Sequence, residues 1–195
     1  MVTIEHFVDV RAPLSTVYNQ WTQFEEFPRF MAGIEEVWPV GDRRLHWKAR
    51  VAGKVKEWDA EICEQIPDQR IAWRSVNGAE TSGKVTFEWI GPARTRVHLV
   101  LNYEPEGVME NAAGLLGVVA RRVEGDLRRF KEFIEARGFE TGEWRRAIRN
   151  SRVLKSANGT DRITAHRSNL EEPDRRENGG SSHTAPRSKR QHSPE

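Results

Sequence analysis

The chain has 195 residues, 37% of them hydrophobic and 31% charged, with a formal net charge of +2; that length suits one domain with an appendage better than two full domains. Charge is unevenly distributed, net −3 over residues 1–140 and +5 over 141–195, so the basic character belongs to the end of the chain and does not argue for a specific nucleic-acid partner. The single cysteine, Cys63, excludes an internal disulfide, fits a reducing compartment, and leaves no Cys/His spacing for a metal.

The opening MVTIEHFVDV lacks the basic stretch and apolar core of a signal peptide. No apolar run approaches the roughly 20 residues of a membrane helix. The expected location is therefore cytoplasmic.

In chain order, Val2, Ile4, Val8 and Val10 alternate with Thr3, Glu5 and Asp9, predicting a strand with one buried face and His6 in phase with it. Pro13 suits the first turn of a helix carrying Leu14, Val17, Tyr18 and Trp21 on one side. A short helical piece follows over 24–29 and stops near Pro28. Six strands come next, separated by turn signals at Gly41-Asp42, Gly53, Pro67-Asp68, Asn77-Gly78 and Gly91-Pro92. Short turns between consecutive strands predict an antiparallel meander.

From about Glu106 the apolar period changes from 2 to 3.6. Val119, Val123, Leu127, Phe130 and Ile134 belong to a stripe that predicts a long helix ending at Gly138. After Trp144 the chain becomes rich in Arg, Ser, Asn and Pro and cannot bury enough apolar surface to order itself. The expected organisation is a domain over 1–146 and a basic, largely disordered tail over 147–195. The expected fold class is α+β, a curved antiparallel sheet of about seven strands around the C-terminal helix.

A single helix against a strongly curved sheet does not close the interior completely. The first half of this helix is small, with Ala112, Ala113, Gly114 and Gly117, and each glycine costs roughly 1 kcal/mol of helix propensity relative to Ala. Either a ligand or close helix–sheet packing accounts for them. Seven tryptophans are present, and Trp47, Trp58, Trp73 and Trp89 are all in phase with inward faces, as rigid apolar walls. The candidate ligand-binding set is Trp47, Trp58, Trp73, Phe87, Trp89, Leu99, Tyr103, Met109, Ala113, Leu116 and Gly117.

Several segments carry a family likeness. They are Val8-Asp9-Val10-Arg11-Ala12-Pro13 leading into Val17-Tyr18-Asn19-Gln20-Trp21, then Phe27-Pro28-Arg29-Phe30-Met31. Trp58-x-Ala60-Glu61-Ile62, Pro67-Asp68-x-Arg70-Ile71-x-Trp73, Gly83-x-Val85-x-Phe87 and Asp126-Leu127-x-x-Phe130-Lys131 follow. On these the stretch from Val2 to about Arg146 resembles the START-like, helix-grip (SRPBCC) superfamily, in particular its polyketide cyclase/dehydrase group, and is similar to coenzyme Q-binding START-like proteins. The resemblance implies an internal hydrophobic pocket, used in that superfamily by aromatase/cyclases and by lipid and quinone carriers.

No nucleophile elbow, phosphate-binding loop, dinucleotide fingerprint or zinc motif occurs, and no cofactor or metal is expected. His6 and Tyr103 are the weak candidates for proton transfer or carbonyl polarisation; neither has a partner that makes a dyad. Ser75 and Glu64 are also in phase with inward faces. Glu57, Asp59 and Glu61 read as a solvated face paired across strands with Lys48 and Arg50. Arg121, Arg122, Arg128 and Arg129 form a basic helix side that could touch an anionic membrane surface transiently, although an ordinary charged surface is the simpler reading. The expected partner is a hydrophobic small molecule, a lipid, quinone or polyketide-like compound. A polyketide aromatase/cyclase or dehydratase and a regulatory protein are the alternatives, and the oligomeric state is open.

Overall fold

A computed structural model describes residues 1–51, 54–77, 81–103 and 112–154. Strand β1 (Val2–Val10) leads into helix α1 (Leu14–Trp21) and a 3₁₀ segment, Phe24–Arg29. Strands β2 (Ile34–Val40), β3 (Arg44–Val51), β4 (Lys54–Ile66), β5 (Arg70–Ser75), β6 (Thr81–Gly91) and β7 (Arg94–Tyr103) follow. Helix α2 runs Ala112–Arg137. The chain then adds a hairpin, β8 (Ala147–Arg149) and β9 (Arg152–Leu154).

The sheet order is β1-β7-β6-β5-β4-β3-β2, antiparallel throughout. Consecutive strands from β2 to β7 are neighbours, so the meander expected from the turn signals is present. The N-terminal strand closes it by pairing with β7, Ile4 opposite Leu101 and Val8 opposite Val97. Helix α2 lies across the inner face with Val123, Leu127, Phe130 and Ile134 buried. Arg11 ties its far end to the end of β1 through Glu135, and Lys131 Nζ donates to the Asp9 carbonyl at 2.6 Å. Gly138, at φ +76°, ends the helix with its N–H on the Ile134 carbonyl at 2.9 Å, the left-handed cap that glycine adopts without a Cβ penalty.

Two features depart from the expected pattern. Strand β4 shifts register between Ile62 and Glu64, and such a bulge reverses which residues face inward. Gln65, not Glu64, is therefore the fully buried residue beyond it, and Glu64 instead pairs with Arg70 at 2.8 and 2.9 Å. The second feature is the hairpin, which makes nine strands among the described residues where about seven were expected. It lies beyond the expected boundary at 146: Ile148 pairs with Gln65 and is fully buried. Asn150 and Ser151 both take positive φ (48° and 56°), as a two-residue hairpin turn requires. Residues 155–195, which hold most of the expected tail, lie outside the described residues. Among the described residues no helix is long and apolar enough to cross a membrane.

Candidate functional site

Sheet and helix diverge on the side away from Gly138, and a cavity of 210 Å³ lies between them. Its sheet wall comes from inward positions of β3, β4, β5 and β7: Leu45 and Trp47, Trp58 and Ile62, Ile71 and Trp73, Leu99 and Leu101. Trp21, Phe24, Phe27, Met31 and Ile34 close one side, and Val123, Asp126 and Leu127 of α2 close another.

Strand register produces the aromatic wall. Trp47 and Trp58 are cross-strand partners, and their rings stack with centroids 5.9 Å apart and planes within 8°. Phe27 stands edge-on to Trp47 at 5.7 Å. Trp73 sits opposite Gly83, where any Cβ would overlap the indole. Glycine on β6 therefore makes room for the Trp73 ring to lie against the sheet.

Asp126 is the one ionisable side chain among the described lining residues. Its Oδ1 accepts the Ala32 N–H at 2.8 Å and pairs with Arg129 Nη2. Oδ2 accepts from no other described residue. Burial raises its pKa above the usual aspartate value, against the lowering effect of the Ala32 N–H and of Arg129 and Arg122. The same helix face holds the neighbouring backbone: Arg122 Nε donates to the Ala32 carbonyl at 2.6 Å, and Arg129 Nε to the Phe30 carbonyl at 2.8 Å. Two of the four arginines that read as a basic helix side are thus occupied by the 30–33 loop.

The structure assembles part of the expected ligand-binding set. Trp47, Trp58, Trp73 and Leu99 line the cavity. Phe87 is buried elsewhere, edge-on to Tyr18 at 5.3 Å and Trp21 at 6.0 Å, in the core beneath α1. Trp89 is 63% exposed, a correction to its expected inward position: it sits at the turn end of β6, where the ladder slips between Trp89 and Gly91. Gly117 is exposed, with open space where a Cβ would stand, so it is not the residue that opens this cavity. Met109 and the side chains of Tyr103, Ala113 and Leu116 lie outside the described residues.

His6 is half-buried on the inward face of β1, opposite Leu99, without a hydrogen-bond partner among the described residues and outside the cavity lining. Ser75 Oγ accepts the Thr81 N–H at 3.0 Å. In the acidic row of β4, Glu57 stands opposite Lys48 in register, but its carboxylate meets His46 Nε2 at 3.8 Å while Lys48 Nζ reaches Glu36 at 3.4 Å; Asp59 meets His46 Nδ1 at 2.6 Å, and Glu61, buried and not solvated as expected, lies between Arg43 and Arg74. Among the described residues no group of three or more His, Cys, Asp or Glu is placed to hold a metal.

Asp126 carries a signal that the sequence reading passed over. It stands three residues after Val123 and four before Phe130, on the apolar stripe itself. Flanking arginines made it look like part of the charged side.

A curved antiparallel sheet closed by one long helix over an aromatic cavity defines a ligand-binding domain of the START-like, helix-grip class. The chain belongs to the family described as "Polyketide cyclase / dehydrase and lipid transport", matched over residues 10–132. It is 49% identical over 149 residues to an uncharacterized 17.2 kDa protein of Streptomyces lincolnensis from the melC2-rnhH intergenic region, covering 76% of this chain and 99% of that protein. Among solved structures it is similar to the di-domain ARO/CYC BexL of the BE-7585A biosynthetic pathway, with 25% identity and a TM-score of 0.57 over 69% of this chain and 47% of that one. The Zhui aromatase/cyclase from Streptomyces sp. R1128 superposes with a TM-score of 0.61 at 21% identity, over 73% of this chain and 99% of that one.

Proposed function

We propose that this protein binds a hydrophobic, ring-containing small molecule, of lipid, quinone or polyketide-like chemistry, between the sheet and α2. The observation that carries this reading is the cavity wall: four indoles, from Trp21, Trp47, Trp58 and Trp73, with a single ionisable group among the described lining residues. Rigid aromatic walls give a flat ligand large contact area at little entropic cost. Cytoplasmic residence is part of the same proposal.

Native mass spectrometry of protein purified from its own host tests it, by looking for a co-purified apolar molecule. Truncation of Trp73 to Ala should weaken binding of that molecule by about tenfold, the weight of one aromatic stacking contact. His6→Gln should leave affinity unchanged, because His6 stands outside the lining. Retained affinity in Trp73→Ala would refute the aromatic-wall reading.

A second reading is favoured by Asp126. A carboxyl with a raised pKa beside an apolar cavity is suited to moving a proton from carbon or to a leaving hydroxyl, and relatives named as aromatase/cyclases make cyclisation or dehydration the natural class. Conversion of a poly-β-ketone by the wild type, lost in Asp126→Asn with ligand still bound, would establish enzyme over carrier.

A further inference from the structure

The size of the cavity and its one carboxylate narrow the ligand further, and this inference rests on the binding reading above. A cavity of 210 Å³ lies between the ~150 Å³ that admits one benzene and the ~300 Å³ at which pockets for drug-sized ligands begin. About one or two fused rings fill it; a further ring or a long chain has to project through the mouth. The parallel planes of Trp47 and Trp58 and the Trp73 ring packed on Gly83 favour a flat molecule over a branched one.

Asp126 supplies the polar complement. Its Oδ1 is occupied by the Ala32 N–H and Arg129. Its Oδ2 accepts from no other described residue, which leaves it available to a donor in the cavity that Asp126 lines. Charge balance separates the candidate donors. Arg129 is paired with Asp126 and the Arg122 cation also acts on it. A ligand cation is therefore not needed, and a neutral O–H is the better match.

We propose that the ligand is a compact one- or two-ring aromatic bearing a hydroxyl, seated against the tryptophan wall with its O–H donated to Asp126 Oδ2, and that Asp126 sets this specificity. Asp126→Asn is the informative variant. The amide keeps an oxygen for Ala32 and Arg129 but presents an N–H₂ to the ligand where Oδ2 stood, so donor preference becomes acceptor preference.

The experiment is isothermal titration of the full chain, wild type and Asp126→Asn, with four probes. These are 2-naphthol, 2-methoxynaphthalene, 2-naphthylmethylammonium and pyrene. Wild type should bind 2-naphthol about tenfold or more tightly than the methyl ether, in line with a charge-assisted hydrogen bond, and should bind pyrene more weakly than either. Asp126→Asn should abolish or reverse the naphthol preference while the ether still binds. If that variant fails to fold, Asp126→Glu, which moves the carboxylate by one methylene, should still reduce the preference.

Equal affinity for naphthol and ether in wild type, or a preference untouched by the variant, overturns the role of Asp126. Tightest binding of the ammonium makes the site a cation site, and tightest binding of pyrene refutes the size limit; either overturns the proposal. Binding without selectivity leaves the general reading standing while this inference falls. Absence of binding by all four probes, with no co-purified molecule, sinks both.

Discussion

Glu135 and Asp126, nine residues apart on α2, respond to burial with opposite outcomes. Burial pushes both carboxyls up. At Glu135 the Arg11 N–H at 2.7 Å and the Arg11 guanidinium at 3.0 and 3.2 Å outweigh it, holding the pKa below the usual 4.5. At Asp126 burial wins. Asp9 beside Arg96, and Glu64 beside Arg70, are lowered chiefly by their bidentate hydrogen bonds. A depressed carboxyl contributes stability that is present above its unfolded pKa and lost as pH falls through its folded value. A raised one does the reverse: its stabilising contribution is full below the unfolded pKa of 3.8 and is lost as pH rises through the folded value. Melting temperature should therefore fall as pH drops below about 4.5, with Asp126 partly offsetting the loss. Thermal melts from about pH 6 to about pH 3 should show a shallower acid decline in Glu135→Gln and a steeper one in Asp126→Asn. Equal slopes in all three proteins would contradict this assignment.

At the scale of elements, the loop between the 3₁₀ segment and β2 is pinned from both sides. Asp126, Arg122 and Arg129 of α2 take its backbone at Phe30 and Ala32, and Arg50 N–H donates to the Gly33 carbonyl at 2.7 Å. Gly33 has φ +78°, and a Cβ there would run into the Arg122 guanidinium and lie 2.9 Å from the Arg50 carbonyl. Gly33→Ala should thus cost about 1–2 kcal/mol, from left-handed strain alone, and more if Arg122 is displaced. Denaturant unfolding measures it, and a neutral result would show that the loop is free to move. Neither the clamp nor the glycine requirement was legible in the sequence, because both arise between segments roughly ninety residues apart in the chain. The strands and α2 were legible, since alternation and the 3.6 period are local. The β4 bulge was not: one inserted residue leaves the alternation of Ala60, Ile62 and Glu64 intact on paper while turning Gln65 inward.

For the whole molecule, the family and the helix-grip architecture followed from the switch of apolar period at α2 and the short-turn meander, and half of the aromatic wall followed from strand phase. The hairpin beyond residue 146 did not. Each strand of the closing hairpin has only three residues, too few for a pattern, and their arginines read as tail. Yet the segment leading to the hairpin fastens the whole domain. Gln65 Nε2 donates to the Trp144 carbonyl at 2.8 Å and to Tyr18 Oη at 3.0 Å. Trp144 packs edge-on against Phe24 at 5.8 Å, Arg145 Nη1 donates to Asn19 at 2.6 Å, and Ile148 is sealed against β4. A chain ended after Arg146 keeps all of these contacts but the last, losing Ile148, an apolar burial worth about 2–5 kcal/mol. At roughly 2–4 °C per kcal/mol for a domain of this size, it should melt several degrees below the full chain. A chain ended after Leu154 retains the hairpin and removes only sequence without apolar periodicity, so its melting temperature should match that of the full chain. Ile148→Ala in the full chain should reproduce the loss, which ties it to the buried side chain and not to the new terminus. Equal melting of all four proteins would place the end of the folding unit at or before Arg146.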